Sequence, residues 1–431
     1  MRRLFYFLLI SFLLCGFESS AGAQDSAVQE LKNQIEALKQ EYEKRIQELE
    51  QKVELLQIQT SEVTEAPPPE PPQQQTFPGA LNPAISVIGN FVGRADDQGV
   101  VNEEGESIDD KFNLRETEID FRVPVDPYAD GVLIVAFESE FPGEFEAGVE
   151  EGYVNIKKLP FVEQNPLGLK LKVGRFRPSF GKINILHTHD LPTTFRPLPV
   201  EEFLGEEGFV QQGLSGNIFI PTPWDESASL DATLEIMDGG DIALSPQAES
   251  RLSYLAHLRY FRSFQGGHDT ELGWSTYFHP SGNEIGAATA HGLDFLYRWK
   301  PFRQGLYKSF LLGAEFFYAP NVTAEFEEEE NGLLQNDTTP KGFTAFTQWQ
   351  FNRRIYAGLR YDHTDVLLNP ELQRQSVTPY ISYYFTEFLR FRVNYEHRWS
   401  DLFEEDGRNS LFIELNWIFG SHPPEPYWVN K

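Results

Sequence analysis

The sequence predicts an all-β transmembrane barrel of about sixteen antiparallel strands, preceded by a short α-helical coiled coil. Three observations predict it. From about Ile85 to Phe419 the chain repeats one unit, roughly ten residues of alternating apolar and polar character and then a turn or polar loop. The gaps between units alternate between short and long. Beyond Phe17 no apolar run approaches the ~20 residues of a membrane helix. A mean hydropathy of −0.40 does not oppose this reading, because only alternate residues of a barrel strand meet lipid.

Residues 1–23 read as a secretory signal peptide. Arg2 and Arg3 are its positive start, Leu4 to Phe17 its apolar stretch, and Ala21-Gly22-Ala23 a small-residue cleavage site before Gln24. Cys15, the only cysteine, lies inside that segment. The mature chain is thus expected to carry no thiol, which excludes disulfides, thiolate catalysis and cysteine-ligated metal. The net charge is −29, and loss of Arg2, Arg3 and Glu18 takes it to about −30, which argues against nucleic acid as a partner.

Residues 24–62 are expected to form the coiled coil. Val28, Leu31, Ile35, Leu38 and Tyr42 follow the heptad spacing, and Ile46, Leu49, Val53 and Leu56 resume it. The four-residue step from Tyr42 to Ile46 is a stutter that locally unwinds a supercoil. So short a stripe needs a partner helix. Residues 63–79 contain EAPPPEPPQQQTFP, a proline-rich linker that cannot join a sheet. Residues 80–431 remain for the barrel.

Strands are expected near 84–93, 112–124, 131–138, 148–157, 168–176, 209–220, 229–237, 253–262, 270–278, 289–299, 309–318, 342–351, 354–362, 377–385, 389–398 and 410–419. The last is the plainest. Leu411, Ile413, Leu415, Trp417 and Phe419 share one face, with Glu414 and Asn416 on the other. Long connections are expected at 94–111, 177–207, 238–252, 319–341, 363–376 and 399–409, as on the outer side of bacterial outer-membrane barrels. An even strand count brings both barrel ends to the periplasmic rim, where the coiled coil belongs. A soluble pair of β-sandwiches would bury its apolar faces and accounts less well for long, regular, aromatic-ended strands.

A barrel of this size can enclose an aqueous channel. Choosing the more polar face of each strand turns Arg122, Lys170, Lys172, Arg259, Arg298, Arg360, Arg390, Arg392 and Arg398 inward. The same choice turns Glu116, Glu118, Asp120, Asp294, Glu315, Asp362, Glu396 and Glu414 inward. In lipid such charges would be very costly. The long connection 177–207 is the most individual stretch, with His187, His189, Asp190, Arg196, Glu201, Glu202, Glu206 and Glu207. Its Ile183, Ile185, Leu186, Leu191, Phe195, Leu198 and Phe203 suit a loop that folds inside and packs on the wall. Its acids would then face basic residues such as Arg390 and Arg392 across a narrowing.

His187-Thr188-His189-Asp190 contains zinc-type donors, but a third ligand is not specified, so no metal ligand is assigned. The acids of 325–330 read as a solvated face. There is no nucleophile elbow, phosphate-binding glycine loop or His-Glu-x-x-His, so neither an enzyme nor a cofactor is expected.

The stretches FNLRETEIDFRVPVDPYADG (112–131) and LKVGRFRPSFG (171–181) resemble the strand–turn pattern and third-loop start of bacterial trimeric porins of the phosphate-selective porin O/P-like group. The resemblance implies a sixteen-strand outer-membrane porin, assembled as a homotrimer with its coiled coil in the periplasm. That group lines its channel with a basic ladder, whereas this third loop is net acidic. Only the pore role is carried over: passive diffusion of small hydrophilic solutes or ions, with a weak cation preference. A metal or metal-chelate uptake receptor is the rival, but it uses about twenty-two strands and a plug. An envelope-tethering barrel is the other.

Overall fold

The computed structural model describes Lys44, which is helical, and residues 83–430 apart from 101–106, 109, 140–144, 160–164, 166, 240–250, 281–287, 321, 329–331, 368, 403–405 and 422. The expected signal peptide, linker and all of the coiled coil but Lys44 lie outside the described residues.

The strands, in chain order, are β1 (Ala84–Asp96), β2 (Phe112–Asp126), β3 (Ala129–Ser139), β4 (Phe145–Ile156), β5 (Lys170–Phe176), β6 (Gln211–Ile220), β7 (Ala228–Asp238), β8 (Leu252–Phe264) and β9 (His268–His279). They continue with β10 (Ala288–Trp299), β11 (Ser309–Tyr318), β12 (Val322–Glu328), β13 (Gly332–Thr338), β14 (Lys341–Gln350), β15 (Ile355–Val366), β16 (Asn369–Thr386), β17 (Leu389–Ser400) and β18 (Asn409–Gly420). All but β12 and β13 form one closed antiparallel barrel of sixteen strands. β1 closes on β18 from Ser86↔Gly420 to Asp96↔Ser410, so both barrel ends lie at one rim.

Period-two alternation decides which side chains face in. In β18, Ser410, Phe412, Glu414 and Asn416 are buried, while Leu411 and Ile413 are 42% and 41% exposed. Around the wall, Leu133, Leu234, Leu258, Leu272, Trp274, Leu293, Leu359 and Ile381 are exposed on the outside. So extensive an exposed apolar surface suits lipid rather than water.

Each of the sixteen expected strands is present, but two connections and the C-terminal tail differ from expectation. The stretch 363–376 is mostly strand, because β15 and β16 stay paired through His363↔Gln375, Thr364↔Arg374 and Asp365↔Gln373. Polar side chains serve as well as apolar ones where a hairpin rises into water. The acidic connection 319–341 contains the β12–β13 hairpin, paired from Val322↔Thr338 to Glu328↔Gly332. Beyond β18 the chain turns inward at Gly420 (φ +100), and Trp428 is only 2% exposed.

The connection between β5 and β6 also folds inside. It carries a 3-10 turn at Thr188–Asp190 and one short helix, α1 (Leu198–Leu204). Loop residues Phe180, Ile183, Leu186, Leu191 and Phe203 are buried in one cluster with wall residues Leu255, Tyr277, Leu311, Phe317 and Phe346, and with Trp428. The barrel therefore has an internal apolar core.

Candidate functional site in the barrel lumen

The inward loop begins at Arg177 and crosses from wall to wall. Its first turn is built around a carboxylate. The backbone N–H groups of Lys182 and Ile183 both donate to Glu315 Oε1 at 2.8 Å, and that of Gly181 donates to Ser275 Oγ at 3.0 Å. Gly181 has φ +66, and a Cβ there would lie 2.5 Å from Glu315 Oε2. Asn184 staples the base: its side-chain amide donates to the carbonyls of Pro178 and Phe209, and its Oδ1 accepts from Phe209 N–H.

The far side of the loop is held by its carbonyls. Arg390 Nη2 donates to His189 O at 2.6 Å and Arg392 Nη2 to Leu191 O at 2.7 Å. Arg360 Nη1 donates to Phe195 O at 2.7 Å and Arg115 Nη1 to Thr194 O at 2.5 Å. Arg390 and Arg392 were expected to face the loop's acids across a gap. They instead bind its backbone and share Glu414, at 2.8 Å and 3.1 Å. A guanidinium offers five donors, enough to serve a carboxylate and a carbonyl together.

The wall cations are widely neutralised. Arg122 pairs with Asp120 at 2.8 Å, Arg259 with Asp231 at 2.9 Å, Arg298 with Asp269 at 3.2 Å and Arg360 with Asp362 at 2.8 Å. Lys172 Nζ lies over the rings of Tyr153 and Phe176. Lys170 is exposed.

The loop residues separate into groups. His187 and His189 stack with ring centroids 5.7 Å apart and reach the wall carboxylates Glu116, Glu118 and Glu150. Burial pushes both imidazoles down. The carboxylates, led by Glu150 for His187 and Glu118 for His189, outweigh burial and hold both well above the ordinary range. Asp190 accepts the Trp428 indole N–H on its backbone carbonyl at 2.6 Å. Arg196 is 2% exposed and donates to Leu186 O within the loop, so it braces the loop rather than lining a passage.

On α1, Glu202 accepts from Leu367 N–H at 2.8 Å and from Arg374 at 3.1 Å. Glu201 is half-buried, and burial raises its carboxyl to about 7 against the opposing pull of Arg398 and Arg374. Glu206 and Glu207 are exposed. Of the apolar residues expected to pack, Ile183, Leu186, Leu191, Leu198 and Phe203 are buried, whereas Ile185 is 47% exposed. Phe195 meets Phe412 edge-on at 4.9 Å.

Sequence alternation missed Arg115, Glu150 and the tail. Both charged residues are extra residues at register shifts. Asn90 pairs with Glu116 and Phe91 with Leu114, leaving Arg115 over. Ile134 pairs with Glu151 and Val135 with Val149, leaving Glu150 over. A bulge re-aims a side chain against the strand's parity, so Glu150 and Glu151 both serve Arg177: Glu150 pairs with its guanidinium, and Glu151 accepts its N–H at 3.1 Å. The run HPPEPYWVNK after the last strand, with two aromatics and no alternation, was the available sign of a tail that packs.

No protein-family model matches the chain. An uncharacterized protein of Aquifex aeolicus (strain VF5) is 26% identical over 352 residues, spanning 73% of this chain and 70% of that one. Among solved structures, the outer membrane channel DcaP of Acinetobacter baumannii superposes with a TM-score of 0.50 at 12% identity, covering 78% of this chain and 96% of that one. An anion-selective porin from Comamonas acidovorans gives a TM-score of 0.50 at 10% identity, covering 78% and 99%. The chain shares the barrel fold of these channels.

Proposed function

We propose that this protein is an outer-membrane porin that passes small hydrophilic solutes or ions by passive diffusion, with residues 177–210 as its constriction and no enzymatic role. One observation carries the reading: a closed sixteen-strand barrel, apolar outside and charged inside, holds a long connection braced within its own lumen. A barrel serving only as a tether needs no such loop. The resemblance to trimeric porins supports a homotrimer, and a periplasmic coiled coil over 24–62 would help hold its register.

The pairing of the wall cations supports a weak preference for cations. Arg122, Arg259, Arg298, Arg360, Arg390 and Arg392 each have a carboxylate partner, so the basic wall has little free field. The exposed Glu206 and Glu207 and the net charge of −29 then tip the balance. The Comamonas protein is anion-selective by its description; the acidic loop is the reason to expect the opposite here. Reversal potentials across planar bilayers in a salt gradient test this. Cation preference that falls when Glu201, Glu202, Glu206 and Glu207 are changed together to glutamine supports the proposal. Absence of any ion current through the reconstituted protein refutes the porin reading, and anion preference refutes the selectivity.

A further inference from the structure

Where the loop meets β2 and β4, two sets of metal-type donors share one carboxylate. Glu116, Glu118 and His189 form one triad, and Glu118, Glu150 and His187 the other; in each, the donor atoms lie within 4.8 Å of one another. His187 Nδ1 is 3.1 Å from Glu118 Oε1 and 3.0 Å from Glu150 Oε2. His189 Nδ1 is 3.3 Å from Glu118 Oε1 and 3.3 Å from Glu116 Oε2. A zinc ion with bonds of ~2.0–2.2 Å sets its tetrahedral ligands roughly 3.3–3.6 Å apart. Within each triad the observed separations are close to that, whereas neither triad holds both histidines, so a single ion takes one of them.

A second observation points to a ligand. His189 Nδ1 and both oxygens of Glu116 are buried without any hydrogen-bond partner, although Nδ1 and Oε2 are neighbours. They are near each other but not aligned on each other, as donors directed at a common point would be. Glu116 and Glu118 are 2% and 1% exposed, and His189 is 4% exposed. Buried polar groups are ordinarily satisfied, so such orphans call for an occupant. Arg177 takes Glu150 Oε1, leaving Oε2 toward His187.

We propose that Glu116, Glu118 and His189 bind a divalent transition-metal ion of the zinc class, and that the ion fastens the inward loop to strand β2. Imidazole and carboxylate donors without sulfur suit zinc rather than a soft ion. The loop supplies the nitrogen of His189 and the wall supplies the oxygens of Glu116 and Glu118, so the complete site exists only while the loop is folded inward. The site does not depend on what the channel passes.

The test uses the full chain, refolded in detergent, stripped with a chelator and titrated with zinc chloride. Isothermal titration, bound-metal analysis and zinc X-ray absorption are read together. The expected result is one zinc per chain, with a nitrogen and oxygen shell at ~2.0–2.1 Å and the outer scattering of imidazole. Glu118→Gln and His189→Ala should each weaken binding by at least the roughly 10–100-fold seen when a mere supporting residue is lost. His268→Ala, whose ring bonds to Tyr297 elsewhere in the barrel, should leave it unchanged. Heat-modifiable gel migration confirms that each variant is folded, and absorption on the unmodified chain requires no variant. Failure to bind stoichiometric zinc, a shell without imidazole, or equal loss in the His268 variant would overturn the site.

Discussion

Replacing Trp428 by alanine should release the C-terminal tail from the barrel interior and raise single-channel conductance. Trp428 is 2% exposed, its indole N–H is bonded to Asp190 O, and Arg390 and Arg392 lie over its ring. Truncating a buried tryptophan costs about 3–5 kcal/mol, and the lost hydrogen bond adds about 1 kcal/mol. Even ~4 kcal/mol shifts a docking equilibrium by about a thousandfold. The tail is also held by Gln348 to Trp428 O, Tyr356 to Asn430 O, Asn430 to Gly305 O and Gln350, Lys182 over the Tyr427 ring, and the packing of Tyr427 and Val429 on the internal core. The hydrogen bonds among these are mostly buried and contribute a net of about 1 kcal/mol each, against the larger packing term of the indole. Two measurements check this: conductance in planar bilayers, and susceptibility of the tail to carboxypeptidase. Truncation after Pro426 should reproduce the conductance of the alanine variant. Unchanged conductance together with a protease-resistant tail would refute the claim that Trp428 ties tail to loop.

Glu414→Gln leaves Arg390 and Arg392 without the carboxylate they share, and breaking a buried pair of this kind costs ~3–5 kcal/mol. Urea unfolding in lipid vesicles should show a clearly lower midpoint, and an unmoved one would sink the idea. Gly181→Ala forces a side chain toward Glu315 at φ +66 and should destabilise by upwards of ~1 kcal/mol, read in the same assay. Cation preference should grow as pH rises through about 7, because Glu201, whose carboxyl is raised to about 7, is neutral below that and charged above. Arg398, Arg374, Glu396 and Glu206 surround it and set the remaining local field. The same raised value makes ionised Glu201 a stability cost that develops as pH climbs from the ordinary carboxyl value of 4.5 and is complete above 7. Glu201→Gln should flatten the change in reversal potential between pH 6 and pH 8, and a slope as steep as that of the unmodified protein would exclude Glu201 as its source.

The barrel was legible in the sequence because its physics is local. Each strand must place apolar residues outward and polar ones inward, and that requirement writes a period of two into every segment, as in Leu411 to Phe419. The inward loop was legible for a similar reason: Ile183, Leu191 and Phe203 are too apolar for a connection in water, and they are buried in the structure. What the loop touches was not legible. Partners such as Glu315 for Lys182 or Arg392 for Leu191 lie more than a hundred residues away, and no local rule selects among the wall charges. The bulges at Arg115 and Glu150 reverse the strand parity on which sequence reasoning rests. The tail lies beyond the last alternating segment, where the period carries no information. Composition and alternation thus determined a sixteen-strand barrel with a loop inside. Closure of the ring decided which distant charges meet there, because antiparallel register, and not proximity in the chain, sets their distances.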